Sequence, residues 1–119
     1  MRKDISVKTQ TKKSKYTVGE EVEMFVTLVN ISPNPVELIF TSAQRYDFII
    51  LKEGKEVWRW SNGKMFAMVL DNLRLEPGEG LTYTETWKTR DAEHGEYEVT
   101  GVIMSQPPLR AACTFKVGS

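Results

Sequence analysis

The sequence predicts an all-β protein whose antiparallel strands form a sandwich or a barrel. Val, Ile, Thr and the aromatic residues, which favour strands, make up 40 of its 119 residues, whereas the helix formers Ala and Leu make up 13. Apolar residues alternate with polar residues in several runs, which is typical of half-buried antiparallel strands. Turn signals rich in Gly, Pro and Asn separate the runs at short intervals, as they do in sandwiches and barrels.

Six runs predict strands, and their alternate apolar residues predict the inward faces. In chain order these residues are Val22, Met24, Val26 and Leu28; Val36, Leu38 and Phe40; Tyr46, Phe48 and Ile50; Leu81, Tyr83 and Trp87; Tyr97, Val99 and Ile103; and Ala111, Cys113, Phe115 and Val117. Glu85 interrupts the fourth run, and the period of two gives no reason for a carboxylate there.

The stretch 62–71 is the least defined part of the pattern. Asn62-Gly63 favours a tight hairpin turn, so Lys64 to Met68 could be the return arm of a hairpin. The same five residues could equally form a helical turn. The end of the molecule at which the following loops emerge depends on which of these two structures is present.

Length and composition exclude several classes of protein. A chain of 119 residues predicts one domain, residues 1–119, with a core that needs no metal or disulfide. Its single Cys cannot form an internal disulfide, and one Cys with one His cannot build a Cys/His zinc site. The chain has no apolar run of about 20 residues to span a membrane. The segment 1–5 lacks the apolar stretch of a signal peptide, so we expect a cytoplasmic protein.

Charge is divided unevenly along the chain. The net charge is zero, but residues 1–15 carry six basic and one acidic side chain, +5, and the remainder carries −5. A basic arm could tether nucleic acid, or its lysines could keep an edge strand from pairing with other chains. The arm has no aromatic residue on which a base could stack. We therefore predict an edge strand and no nucleic-acid partner.

The residues that could carry catalysis are few and scattered. His94 lies in a polar turn, residues 91–95, where a solvated side chain is expected rather than the base of a catalytic triad. Cys113 lies on a predicted inward face and is interpreted as a small core residue. The glycines form neither GxGxxG nor GxxxxGK[ST], so no phosphate cradle is indicated. The sequence predicts no catalytic residue, no metal site and no cofactor, and so a protein that is not an enzyme.

The tryptophan segment 56–66 is the most informative stretch. Trp58 and Trp60 fall on the same strand face, where they either fill the core or form a binding platform. Lys64-Met65-Phe66 follows beside a turn, and it would bind a partner if exposed or close the end of the sandwich if buried.

With this segment, the chain resembles the BsuPI-type intracellular proteinase inhibitors. Ordered motifs carry the resemblance over about residues 20–117. They are Val26 to Ser32, Phe40 to Phe48, Trp58-Arg59-Trp60-Ser61 with Lys64-Met65-Phe66, Leu75 to Glu79, Trp87, and Gly95 to Val99. Each motif alone is ordinary in β-sandwiches, and only the ordered set is specific. Trp58, Trp60, Trp87 and Tyr97 are expected to be its structural residues.

The resemblance implies an immunoglobulin-like antiparallel β-sandwich that inhibits a subtilisin-like serine protease. Such an inhibitor can insert a stiff loop into the active-site cleft, and here proline would have to supply the stiffness, since no disulfide can. The expected binding residues lie in three loops: Pro33 and Pro35; Lys64, Met65 and Phe66; and Pro107, Pro108, Leu109 and Arg110. We expect Leu109 to enter an apolar specificity pocket. If the usual strand order holds, the two proline loops share one end of the sandwich.

A second hypothesis remains open. The same domain could be a non-inhibitory interaction or adhesion module that binds another protein through a sheet face or a strand edge. An apolar patch at the loop end favours inhibition, and one on a sheet face favours the module.

Overall fold

A computed structural model describes residues 2–90 and 92–118. Three residues lie outside the described part of the chain: Met1, Asp91 and Ser119. The predicted domain span includes all three, the predicted N-terminal segment includes Met1, and the predicted polar turn includes Asp91. Within the described residues, ten strands follow one another. They are β1 (Ile5–Thr11), β2 (Lys15–Tyr16), β3 (Glu21–Asn30), β4 (Val36–Phe40), β5 (Tyr46–Lys52), β6 (Lys55–Arg59), β7 (Asp71–Leu75), β8 (Gly80–Lys88), β9 (Gly95–Ile103) and β10 (Leu109–Val117).

The strands form an immunoglobulin-like β-sandwich, as the resemblance implies. One sheet has the order β1-β3-β8 and the other β2-β10-β9-β5-β6, with all pairings antiparallel except that of β2 with β10. A two-stranded ribbon, β4-β7, completes the fold. The basic N-terminal arm forms β1, which lies at a sheet edge as predicted. Within the described residues, no helix is long and apolar enough to cross a membrane.

The core lies between the two sheets and contains the predicted inward faces of β3, β4 and β9. The sheets approach closely where β9 crosses β1 and β3. A Cβ placed on Gly101 would lie 2.5 Å from Thr9 Oγ1 and 2.8 Å from Val26 Cβ, so only glycine fits there. Thr9 Oγ1 donates a hydrogen bond to the Ala111 carbonyl at 2.8 Å, which joins the sheets along one edge.

Strands β3 and β9 run in the same direction across this core. Val26 meets Gly101, while Trp87, which pairs with Val22, lies 5.5 Å from Tyr97 between ring centroids. Both strands therefore finish at one end, which we call the loop end. Its connections are residues 31–35, 41–45, 60–70, 76–79 and 104–108. The opposite end, here the turn end, contains residues 12–20, 53–54 and 92–94.

The structure corrects the sequence pattern at two places and explains it at a third. Residues 64–70 form neither a helical turn nor the return arm of a hairpin. Asn62-Gly63 does make a turn, closed by the Lys64 amide to the Ser61 carbonyl at 3.0 Å, but the chain then continues without regular structure. Leu81, predicted to point inward, is exposed because it begins an edge strand. Glu85 has a reason to interrupt its run, since its carboxylate accepts a hydrogen bond from the Tyr46 hydroxyl.

Candidate functional site

The first proline loop is exposed, and its two prolines have small side chains for a partner to bind. Pro33 and Pro35 both lie at the surface. Asn30, which is buried, holds the loop by donating hydrogen bonds from Nδ2 to the carbonyls of Asn34 at 2.8 Å and Leu75 at 2.9 Å. The loop is therefore ordered from beneath, and apart from its two prolines its exposed apolar surface is that of Ile31.

The second proline loop, residues 104–108, leaves the same end of the sandwich. The Gln106 amide donates to the Ile39 carbonyl at 2.9 Å, which ties this loop to β4. Pro107 and Pro108 are exposed, and so is Arg110 in β10. Leu109 differs from the prediction: it is the first residue of β10, pairs with Ile103 and packs against the core. Its side chain is thus partly covered by the core and is less exposed than that of Met65 or Met68.

The predicted loop that contains Lys64, Met65 and Phe66 has the most exposed apolar surface at this end. Met65 is 98 % exposed, Met68 82 % and Leu70 79 %, and Val69 between them is also exposed. We call residues 64–70 the exposed segment. Phe66 is the exception, because it turns back and lies 5.9 Å from Trp60 between ring centroids. Of the predicted residues, Met65 points to solvent, whereas Lys64 and Phe66 both lie against the ring of Trp60.

A buried carboxylate fixes the start of the exposed segment. Asp47 is only 2 % exposed, and its Oδ1 accepts hydrogen bonds from the amides of Phe48 at 2.9 Å and Ser61 at 3.1 Å. Its Oδ2 accepts from Ser61 Oγ at 2.5 Å and lies 3.6 Å from a guanidinium nitrogen of Arg59. These contacts hold residues 59–61 firmly against β5, just before the chain leaves the sheet.

An aromatic cluster supports the segment further along. Trp60 lies 4.6 Å from Tyr46, and Tyr46 stacks on Tyr83 at 4.6 Å, both measured between ring centroids. Lys64 Nζ lies 4.9 Å from the centroid of the Trp60 ring, on which Phe66 also packs. Burial, together with the hydrogen bond to Glu85, raises the pKa of Tyr46 well above its ordinary value, so its hydroxyl stays protonated as a donor.

The far end of the segment is tied to the neighbouring loop. The Ala43 amide donates to the Ala67 carbonyl at 2.8 Å. Asp71, which opens β7, forms an ion pair with Arg45, whose guanidinium carbon lies 4.4 Å from the centroid of the Phe40 ring. The exposed segment therefore has ordered supports before, within and after it.

The structural residues expected from the resemblance lie in or against the core. Tyr97 is buried, and Trp58, Trp60 and Trp87 are half-buried and pack on the core cluster. Trp87 and Tyr97 contact the ring of Phe115 near the turn end. Trp60, by contrast, supports the exposed segment.

The residues considered for catalysis do not form a site. His94 is exposed in the loop before β9. Cys113 is half-buried, and burial raises the pKa of its thiol, which disfavours the thiolate that a nucleophile requires. Among residues 2–90 and 92–118, no three His, Cys, Asp or Glu side chains are grouped closely enough to hold a metal ion.

Sequence reasoning missed part of the surface and its support. It did not single out Met68, Val69 and Leu70, although an apolar run without alternation is visible there. It also missed Asp47, because the pattern gives no sign that residues 59–61 cover the outer side of β5. The available signal was an acidic residue between Tyr46 and the apolar run Phe48-Ile49-Ile50-Leu51.

The family model for BsuPI, described as an intracellular proteinase inhibitor, matches residues 9–108. The chain belongs to the BsuPI family. The match starts earlier than the resemblance noted in the sequence and ends before Leu109. No curated protein sequence matches this member of the family.

Solved structures match its fold at low sequence identity. Spo0M, a sporulation control protein from Bacillus subtilis, is 17 % identical with a TM-score of 0.58, over 98 % of this chain and 50 % of that one. The CARDB domain of the PF1109 protein from Pyrococcus furiosus, solved with di-metal ions, is 15 % identical with a TM-score of 0.57. The match covers 97 % of this chain and 88 % of that one.

A β-glucosidase from Erythrobacter marinus is 13 % identical with a TM-score of 0.54, over 96 % of this chain. The chain spans only 15 % of that enzyme and 16 % of a β-glucosidase from Listeria innocua. At these identities the likeness concerns the fold alone.

Proposed function

We propose that this BsuPI-family chain inhibits a subtilisin-like serine protease in the cytoplasm by binding through its loop end. One observation supports this most: the apolar exposed segment lies on a braced sandwich in a member of a proteinase-inhibitor family. Apolar side chains in water are unfavourable unless a partner covers them. A protease cleft with apolar subsites is a partner of that kind.

The supports of the segment matter for affinity. A flexible peptide loses conformational entropy when a cleft orders it, and that loss weakens binding. In this chain Asp47, Trp60 and the Ala43 amide already order the segment before any partner arrives. Side-chain packing and hydrogen bonds thus replace the disulfides that brace many secreted inhibitors.

The neighbouring loops would complete the interface. A stable protease–inhibitor contact buries about 800 Å² on each partner, more than one short segment provides. The loop 41–45 is tied to the segment through Ala67, and the loop 104–108 is tied to β4 through Ile39. Pro107, Pro108 and Arg110 would form part of the rim, and Pro33 and Pro35 lie at the same end, in the connection before β4.

The direct test is a titration of the purified chain against a panel of subtilisin-like proteases, with chymotrypsin-like and cysteine proteases for comparison. The expected result is a saturable loss of cleavage at one inhibitor per protease, strongest in the subtilisin-like group. No slowing at micromolar excess over every protease would overturn the proposal and leave the non-inhibitory module.

Matched variants locate the surface. Serine at Met65, Met68 and Leu70 together should raise the inhibition constant at least about 100-fold, because it removes the apolar surface of the segment. Serine at Val18 and Val57, which are also exposed but lie away from the loop end, should leave the constant unchanged. The reverse pattern would place the interface elsewhere. Circular dichroism of both variants checks that the fold is retained.

A further inference from the structure

We propose that Met65 is the residue that enters the primary specificity pocket of the protease. This inference rests on the proposed function and names the residue through which it acts. Met65 is the most exposed large apolar residue of the chain's described part, at 98 %. Its two neighbours in the chain, however, are both held, which makes it a fixed tip rather than a loose end.

The neighbours of Met65 share a single support. Lys64 Nζ lies over the Trp60 ring at 4.9 Å, and the Phe66 ring lies 5.9 Å from the same ring between centroids. The Lys64 amide also donates to the Ser61 carbonyl, and Ser61 is fixed by Asp47. Contact on both sides with one half-buried tryptophan directs the intervening side chain away from the protein.

The backbone at Met65 is also suited to a protease cleft. A cleft that binds a substrate-like chain forms main-chain hydrogen bonds with it, in the manner of an added β-strand. Among residues 2–90 and 92–118, none donates a hydrogen bond to, or accepts one from, the backbone of Met65 or Phe66. These groups are therefore available to pair with the protease.

The other exposed apolar residues are less suited to this position. Leu70 is followed directly by Asp71, which is already paired with Phe40 in the β4-β7 ribbon. Met68 follows Ala67, whose carbonyl accepts a hydrogen bond from the neighbouring loop. Leu109 lies in the β9-β10 ladder and packs on the core. Leu109 thus has its own backbone and side chain engaged, whereas Met68 and Leu70 both adjoin the exposed Val69 and lack the flanking pair of side chains on one ring that holds Met65.

The side chain defines the chemistry of the pocket. Methionine is long, unbranched at Cβ and uncharged, and its thioether fits apolar sites of irregular shape. The partner pocket is therefore expected to be deep and uncharged. A carboxylate placed in such a pocket would lose its hydration without gaining a counter-ion, so an acidic residue at this position should be rejected strongly.

The test compares two matched series, Met65→Leu, Met65→Ala and Met65→Glu against the same three changes at Met68. Inhibition constants are measured with the most strongly inhibited protease. At position 65, we expect the inhibition constant to rise about fivefold or less for Leu, about 10- to 100-fold for Ala, and more than about 100-fold for Glu. At position 68, all three substitutions should leave the inhibition constant within about fivefold of the wild-type value. Both residues are exposed, so neither series should alter thermal unfolding.

The outcomes separate this inference from the proposed function. If the wild-type chain inhibits but the Met65 series is flat, or the Met68 series is as steep, Met65 is not the pocket residue and the function still stands. If the wild-type chain inhibits no protease, the function itself fails. A steep series at position 65 alone supports both.

Discussion

The two ends of the sandwich are built on different principles. At the turn end, tight turns carry surface ion pairs, such as Lys13 with Glu20 and Lys52 with Glu93, and their buried polar anchor is the uncharged hydroxyl of Thr89. At the loop end, long irregular connections expose apolar residues and are held from beneath. Most exposed large apolar residues of the described chain lie at that end; they are Ile31, Ile39, Met65, Met68, Val69, Leu70 and Leu81.

The difference shows where the structure places its stabilising contacts. Exposed ion pairs contribute little, because water solvates the separated charges almost as well. A buried carboxylate with several donors contributes more, and its loss leaves those donors without partners. Asp47 thus supports the exposed segment, whose apolar side chains are in unfavourable contact with water. This arrangement is expected where an exposed shape must be kept rather than allowed to collapse.

The largest effect on this comparison is expected from removing the carboxylate of Asp47. Asp47→Ala leaves the Phe48 and Ser61 amides without their acceptor, at a cost of about 2–4 kcal/mol in the free energy of unfolding. Inhibition should weaken as well, because the start of the exposed segment is released. Urea denaturation and the inhibition assay measure the two effects.

Two controls isolate the anchor. Asp47→Asn keeps a carbonyl oxygen that can accept from both amides, so it should retain much of the stability. Glu93→Gln at the turn end, whose carboxylate is mostly exposed, should cost less than about 0.5 kcal/mol. Equal losses for Asp47→Ala and Glu93→Gln would remove the distinction between the two ends.

The second prediction uses the thioethers of the loop end. Hydrogen peroxide transfers one oxygen atom to an exposed methionine sulfur, which gives the polar sulfoxide and water. Met65 and Met68 should oxidise well before Met24, which is 0 % exposed. If Met65 enters an apolar pocket, its sulfoxide should weaken inhibition about tenfold or more, equivalent to about 1.4 kcal/mol. Peptide mass spectrometry follows each residue while activity is assayed.

The Met65→Leu variant is the control for oxidation. Leucine has no sulfur, so this variant should keep its inhibition after the same treatment. If oxidised wild type inhibits as well as untreated protein, Met65 does not lie in an apolar contact. Reduction by methionine sulfoxide reductase should restore the wild type.

The sequence predicted the fold well because the core depends on a short-range pattern. The residues of β3 with a period of two, from Val22 to Leu28, are all buried as predicted, since alternation alone sets which face of a strand points inward. The site was harder to predict. The fixed position of Met65 depends on Trp60 and on Asp47, which is distant along the chain, and no local pattern signals such contacts. Leu109 was misplaced because a loop boundary near Pro108 can fall one residue to either side.

The third prediction concerns the hydrogen bond between Tyr46 and Glu85. Tyr46→Phe keeps the ring stacking on Tyr83 and removes only the hydroxyl, at a cost of about 0.5–1.5 kcal/mol at neutral pH. Burial, then Glu85, raises the pKa of Tyr46, so the protonated hydroxyl stabilises the fold fully below the ordinary tyrosine value near 10. Above that pH the wild type should lose more stability than the variant. Parallel loss in both proteins would show that folding does not raise the pKa of this hydroxyl, and equal stability at neutral pH would show that its hydrogen bond contributes nothing.

The smallest effect is expected at Glu20 of the turn end. The hydrogen bond from Lys13, then that from the Thr17 amide, lowers the pKa of Glu20 to about 2. A lowered pKa means that the ionised carboxylate stabilises the fold above its ordinary value near 4.5, and that this contribution is lost as the pH falls toward 2. Glu20→Gln should therefore melt slightly below the wild type at pH 7, and the difference should vanish near pH 2. Because the group is exposed, raised salt should also shrink the difference. A melting loss as large as that of Asp47→Ala, or one that persists at pH 2, would mean that this exposed ion pair stabilises the fold as much as a buried carboxylate does, and the contrast between the two kinds of contact would fail.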